Sequence, residues 1–357
     1  MDYDSKLSRQ VRDLPRSGIR DFFELVIGRS DVISLGVGEP DKPTPWPIRD
    51  AAIKSIERGQ TSYTPPLGLE SLRNAISDYV DGLFHFRYDP KTEILVTVGV
   101  SEALDIAFRA VLNPGDEVIY HEPCYVSYSP SIKMAYGVPV VVNTREENEF
   151  AVLAEDIEKV ITPKSRVLVL NFPTNPTGGI MPPEELEKIA ALAVRHDLLV
   201  FTDEIYCELL YDGRKHTSIV EFPGMRERTV LLHGFSKAFA MTGWRLGYAC
   251  APAPLREAMM KVHQYCMLCA PIMSQVAGLE ALKLGAAAFE DMRQSYEKRR
   301  NLIVSRLNGM GLHCFNPGGA FYVFPDIRST GLTSKEFAIK LLETKSVAVV
   351  PGTAFGT

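Results

Sequence analysis

From residue 33 onward, short apolar runs alternate with helical patterns. ILVTV at 94–98 is rich in β-branched residues, and the SEALDIAFRAVL behind it repeats Leu104, Ala107, Phe108 and Val111 at helical spacing. EVIY at 117–120 and GVPVVVN read as strands ahead of the helical AEDIEKVI. RVLVLNF at 166–172 reads as a strand ahead of PEELEKIAALAVRH, a helix with acids in its first turn and a basic end. LLVFTDE and TVLLHGF are two further strands. Strands alternating with helices predict a mostly parallel sheet covered by helices on both faces. Around residue 252 the pattern changes to long helical stretches, PLREAMMKVHQYCMLC, SQVAGLEALKLG and AFEDMRQSYEKRRNLIVSRLNGMG. Two short strands follow, GAFYVFPD and VAVVPG, around the helix TSKEFAIKLLET. The expected fold class is therefore α/β, with a large domain over 33–275 and a smaller α+β domain over 276–357. Residues 1–32 read as an arm, with a short helix in RDFFELVIG, that packs with the small domain.

Composition narrows the functional classes. Hydrophobic residues make up 46% and charged residues 23% of the 357, an ordinary balance for a globular protein and not for a disordered one. A net charge of −5 argues against a broad basic face for nucleic acid. No apolar run approaches the roughly eighteen residues that a membrane-spanning helix needs. The start, MDYDSKLSRQ, lacks the apolar core of a secretory signal, so the expected location is cytoplasmic. Six cysteines are scattered along the chain, and one pair, Cys266 and Cys269, forms a CxxC. No second pair or histidines at ligand spacing accompany it, so it reads as helix packing and no metal is expected.

In open α/β sheets, ligands bind beyond the carboxyl ends of the strands. After ILVTV come Gly99, Val100 and Ser101, opening a helix. After EVIY comes Tyr125, and after RVLVLNF comes Asn175 in PTNPTGG. Asp203, Glu204 and Tyr206 follow LLVFT, while Ser236, Lys237 and Arg245 follow TVLLHGF. Read singly, each has a plain alternative. Lys237 is then a solvated surface group, Asp203 a helix cap, and Asn175 a turn residue before Pro176. Tyr125 and Tyr206 are core aromatics, Ser101 is an N-cap, and Gly38 in LGVGEPD is a turn glycine. Taken in order, they gather one helix start, one carboxylate, one lysine and one arginine at a single sheet edge. A nicotinamide site is not expected, because no GxGxxG joins a first strand to its helix.

The runs SYTPPLGLESLR, TVGVSEALD, NFPTNPTGG, TDEIY and GFSKAFAMTGWRLGY resemble the fold-type I aminotransferases that use pyridoxal 5′-phosphate, the class I/II, aspartate-aminotransferase-like family, from about residue 30 to the end. The resemblance implies that Lys237 forms a Schiff base with the cofactor aldehyde and later carries the substrate's α-proton. A neutral amine is needed for both, so the site must lower its pKa. It implies that Asp203 faces the ring nitrogen, that Asn175 and Tyr206 hold the phenolic oxygen, and that Tyr125 stacks on the ring. Gly99, Val100, Ser101, Ser236 and Arg245 are implied at the phosphate, where helix amides and a guanidinium favour an anion. Tyr63 is implied to reach the phosphate of a neighbouring subunit in a homodimer with shared active sites. Gly38, with Asn175, is implied beside the substrate.

The implied activity is exchange of an amino group between an L-amino acid and a 2-oxo acid, by a ping-pong route through Lys237. Two alternatives remain open at this level: a C–S β-lyase on the same fold, and a catalytically impaired cofactor-binding fragment. The second arises because the chain ends at VAVVPGTAFGT, whereas the family continues with an arginine that clamps the substrate α-carboxylate. The last arginine here is Arg328, which reads as a solvated loop residue, so the chain looks short at its C-terminus.

Overall fold

The computed structural model describes residues 1–14, 28, 29, 31–36 and 38–356. The expected RDFFELVIG helix lies outside the described residues except for its last glycine. Strands β1 (Ile33–Ser34), β2 (Ile94–Thr97), β3 (Glu117–Glu122), β4 (Val138–Asn143) and β5 (Ser165–Asn171) come first in the chain. They are followed by β6 (Leu199–Asp203), β7 (Thr229–Gly234), β8 (Gly247–Cys250) and β9 (Val347–Ala348). Among the described residues, seven form one sheet in the order β2-β8-β7-β6-β5-β3-β4. Strands β4, β3, β5, β6 and β7 run parallel, and β8 is antiparallel to both β7 and β2.

Strand residues alternate between two buried faces, as the period of two requires. On β2, Ile94 and Val96 join one core while Leu95 joins the other. On β5, Val167 and Val169 face one way and Leu168 and Leu170 the other. Burial on both faces explains why these strands read as continuous apolar runs rather than as alternating ones. The Trp46–Glu57, Glu70–Phe84 and Ile272–Leu284 helices cover one face near β2, β8 and β7. The Gly99–Val111 and Ala253–Cys266 helices cover the other.

Three expectations need correction. GAFYVFPD forms no regular strand and makes only the isolated bridges Leu210–Gly319 and Cys314–Pro325. Its aromatic rings are used on the active-site side instead, where Phe321 and Tyr322 pack on Tyr206. GYAC, where no strand was expected, is β8. AEDIEKVI is helical only over Ala154–Glu158. The C-terminal strand is short, and Val347 and Ala348 pair in parallel with Ile33 and Ser34.

Candidate active site

The carboxyl ends of β3, β5, β6 and β7 open toward one region, and the strand sequences deliver the predicted residues there. Asp203 is the last residue of β6. It is buried, with Tyr128 Oη donating to Oδ2 at 2.8 Å and the Ile205 amide donating to Oδ1 at 3.3 Å. Burial pushes its carboxyl up to about 6 despite those two donors. Glu204, its neighbour, is turned to different partners. It accepts from Thr202 Oγ1 at 2.8 Å and Ser218 Oγ at 2.7 Å, and it pairs with His216. The two adjacent acids thus serve separate surroundings, and only Asp203 meets the aromatic residues that follow β3.

Lys237 lies three residues past the end of β7. Its Nζ donates to the Gly38 carbonyl at 2.6 Å and stands 5.5 Å from the Tyr206 ring centre and 5.7 Å from that of Phe321. Burial lowers its ammonium pKa to about 8; Asp203 and Glu39 oppose that shift and Arg245 adds to it. The hydroxyls of Tyr206 and Tyr322 share a hydrogen bond at 2.6 Å. Burial, with the Tyr322 oxygen next, raises the Tyr206 phenol well above its ordinary value. Tyr125 packs edge-on against Tyr128, with ring centres 5.7 Å apart. Asn175 is tied in through its backbone: its amide donates to Asn171 Oδ1 at 3.2 Å, and Asn171 Nδ2 donates to the Asp203 carbonyl at 3.0 Å. Ser236 is buried immediately before Lys237.

The Gly99–Val111 helix begins beside this group, and its N-cap is Val98. Ser101 is therefore inside the first turn and not the cap. The Glu102 carboxylate does part of a cap's work by accepting the Val98 amide at 2.5 Å. Gly99 has φ +78°, and an added Cβ would stand 2.7 Å from Arg245 Nη2. The guanidinium thus lies directly against the helix start, where the first amides have no partner within the helix. Gly247, on β8, allows this approach. A Cβ there would sit 2.6 Å from the Val100 nitrogen and 2.7 Å from the Gly99 carbonyl carbon.

Tyr63 is not part of this cluster; it is 83% exposed on the segment between the first two long helices. Sequence reasoning missed Tyr128, Asn171 and Tyr322, which position Asp203, Asn175 and Tyr206. Tyr128 stands three residues after Tyr125, a spacing that places both on one side of a helical turn and could have flagged it.

The family described as "Aminotransferase class I and II" matches residues 30–357. The chain is 53% identical over 352 residues to the YugH protein of Bacillus subtilis (strain 168), covering 99% of this chain and 91% of that one. Its fold superposes on an aromatic aminotransferase from Pyrococcus horikoshii OT3 with a TM-score of 0.90 at 46% identity, covering 95% of this chain and 91% of the other. It also superposes on aspartate aminotransferase from Thermus thermophilus with maleate, with a TM-score of 0.92 at 40% identity, covering 98% and 92%. Of the reactions expected from the sequence, transamination is the one these relatives carry. No helix among the described residues is long and apolar enough to cross a membrane. The chain belongs to the class I and II aminotransferases and is a transaminase of the fold-type I architecture.

Proposed function

We propose that Lys237 and Asp203 form the reacting centre, where an amino group passes between an L-amino acid and a 2-oxo acid on pyridoxal 5′-phosphate held by this chain. The observation that carries this reading is the pairing of a buried amine, lowered to about 8, with a buried acid, raised to about 6, at the ends of neighbouring strands. Burial shifts the amine toward the neutral form that an aldehyde requires, and it leaves the acid poised so that a ring cation beside it would return it to the carboxylate.

The residues present fit that cofactor. The space a Gly99 Cβ would fill, the Arg245 guanidinium against it and the first-turn amides of Gly99, Val100 and Ser101 make an anion cradle suited to the phosphate, with Ser236 as a further donor. Lys237 would take the aldehyde carbon on Nζ. Asp203 would face the ring nitrogen, Asn175 and Tyr206 the phenolic oxygen, and Tyr125 the ring face. When bound, the cofactor supplies an electron-withdrawing ring that spreads the charge developing at the substrate α-carbon.

The chain's own residues do the rest. Lys237 Nζ, once free and neutral, takes the substrate's α-proton and holds it for delivery to the carbon that carried the aldehyde, with the Gly38 carbonyl at 2.6 Å orienting the amine. Asp203 would hold a proton on the ring nitrogen. A cation beside it would restore its ionised form, and Tyr128 keeps its Oδ2 in place. Tyr322 fixes the Tyr206 hydroxyl. The reading includes a homodimer in which Tyr63 and Gly38 complete the phosphate and substrate ends of the site. It also includes a small domain at 276–357 joined to the arm at 1–32. Pairing of β1 with β9, and the small core of Ala338, Leu342 and Ala348, support a link between the two ends of the chain.

Half-reaction spectroscopy tests the proposal. An L-amino acid should shift the visible band of the loaded protein and a 2-oxo acid should restore it, in a ping-pong pattern. Lys237→Ala should abolish both changes, and full turnover by that variant would remove Lys237 from the chemistry.

A further inference from the structure

Behind the active site, three side chains meet that none of the steps above employs. The turn after β6 carries Tyr206 and then Cys207 and Glu208, while β7 carries His233 four residues before Lys237. Cys207 Sγ lies 3.2 Å from His233 Nε2 and 3.3 Å from Glu208 Oε2, and His233 Nε2 lies 3.2 Å from Glu208 Oε1. All three residues are buried. Each donor atom therefore touches the other two residues, a closed triangle that protons can satisfy only pair by pair.

The geometry points to a binding site for a zinc-class transition-metal ion held by Cys207, Glu208 and His233. Bonds of about 2.0–2.3 Å in a tetrahedron put neighbouring donors about 3.4–3.6 Å apart; the observed separations are close to that, and because sulfur and imidazole meet different oxygens of Glu208, the carboxylate would turn to present one oxygen or bind through both. One thiolate, one imidazole and one carboxylate form a donor set that favours zinc or cobalt over magnesium or calcium. Outer contacts of the kind that orient ligands are present. Tyr79 Oη donates to Glu208 Oε1 at 2.8 Å. The Gly234 amide donates to His233 Nδ1 at 2.6 Å, so ligation through Nε2 requires the ring to take the other tautomer and donate from Nδ1 to the Gly234 carbonyl, now 3.2 Å away. A cavity of about 590 Å³ is lined by Cys207 and Glu208 but not by His233, which puts two of the three donor residues at its wall. Arg214 and Lys215 also line it, so an entering cation is held by the donors and not by the field of the cavity. On binding, the thiol releases its proton to solvent and the sulfur forms the metal bond. The ion would tie the turn that follows Asp203 to the strand that leads to Lys237.

Cobalt(II) is the probe. The protein, purified with its cofactor and cleared of metal by chelation, is titrated with cobalt(II) and, separately, with zinc(II) and magnesium(II). The site predicts one cobalt per chain, with a thiolate charge-transfer band and tetrahedral ligand-field bands. Zinc should displace cobalt and raise the thermal midpoint, and magnesium should do neither. The bands should persist in Cys266→Ser/Cys269→Ser. They should vanish in Cys207→Ser, and His233→Asn should weaken binding at least tenfold. Absence of a thiolate band in the unaltered protein overturns the proposal without recourse to any variant. So does its loss on substituting Cys266 and Cys269, which would assign the metal to that pair.

Discussion

Asp203 is expensive to bury in its charged form, and its working role depends on that. A carboxylate about 3 Å from a ring cation is worth roughly 5 kcal/mol gross at an effective dielectric of about 20, against about 1 kcal/mol net for a neutral amide. Asp203→Asn should therefore lower the turnover number by about 10³-fold or more, at about 1.4 kcal/mol per tenfold. The same substitution should stabilise the cofactor-free protein. The folded carboxyl titrates near 6 and its ordinary value is 3.8, so the folded chain binds the proton more tightly than the unfolded one. The stability it contributes is complete below about 3.8 and is lost as pH climbs through about 6. The upper bound on that loss is about 3 kcal/mol, from roughly two units at about 1.4 kcal/mol each. Thermal midpoints of the two proteins should therefore diverge between pH 4 and pH 7, with the variant higher at pH 7. A gap independent of pH would contradict this. At Lys237, Glu39 works against the burial that lowers the amine to about 8. Glu39→Gln should move the midpoint for amine labelling of the cofactor-free protein further down, and an unchanged midpoint would exclude Glu39 from the site's field.

At the scale of elements, the start of the Gly99–Val111 helix is the most exacting piece of backbone. Its glycine has a positive φ, and β8 comes within backbone contact of it at Gly247. Gly99→Ala should cost about 1–2 kcal/mol in backbone strain and should also push Arg245 aside. Affinity for pyridoxal 5′-phosphate should then fall while affinity for unphosphorylated pyridoxal holds, a contrast that equilibrium dialysis reads directly. Equal losses for both ligands would place the phosphate elsewhere. This element also shows what the sequence could and could not reveal. The parallel strands were legible because β-branched runs buried on both faces leave a continuous apolar signature. β8 was not, because GYAC carries no β-branched residue and its glycine answers to a close neighbour on another element. GAFYVFPD looked like a strand from its aromatics, yet Ala320 has φ +57° and Tyr322 spends its hydroxyl on Tyr206. The lysine, acid and helix start were legible because each stands at or just past the end of a strand, and Arg245 because it completes the GFSKAFAMTGWRLGY run. Tyr128, Asn171 and Tyr322 were not, because their roles arise from contacts between distant parts of the chain.

For the whole molecule, the proposed homodimer would place the second copy against the surface around Tyr63. His263 Nε2 lies 3.1 Å from the Pro66 carbonyl, which joins the Tyr63 segment to the end of the Ala253–Cys266 helix. There Tyr265 is 86% exposed, and Met267 is exposed two residues on. If Tyr63 acts across a dimer, mixing Lys237→Ala chains with Tyr63→Ala chains and allowing exchange should restore turnover, since one site in each hybrid keeps both residues. Hybrids no more active than half the Tyr63→Ala parent would place Tyr63 outside the partner's site. The central claim, that the amine of Lys237 holds the cofactor beside Asp203, is tested most directly by borohydride reduction of the loaded protein followed by peptide mapping. The account predicts a single pyridoxyl group on Lys237, formed in Asp203→Asn as well but not in Lys237→Ala. A pyridoxyl group on another lysine, or none at all, would contradict it.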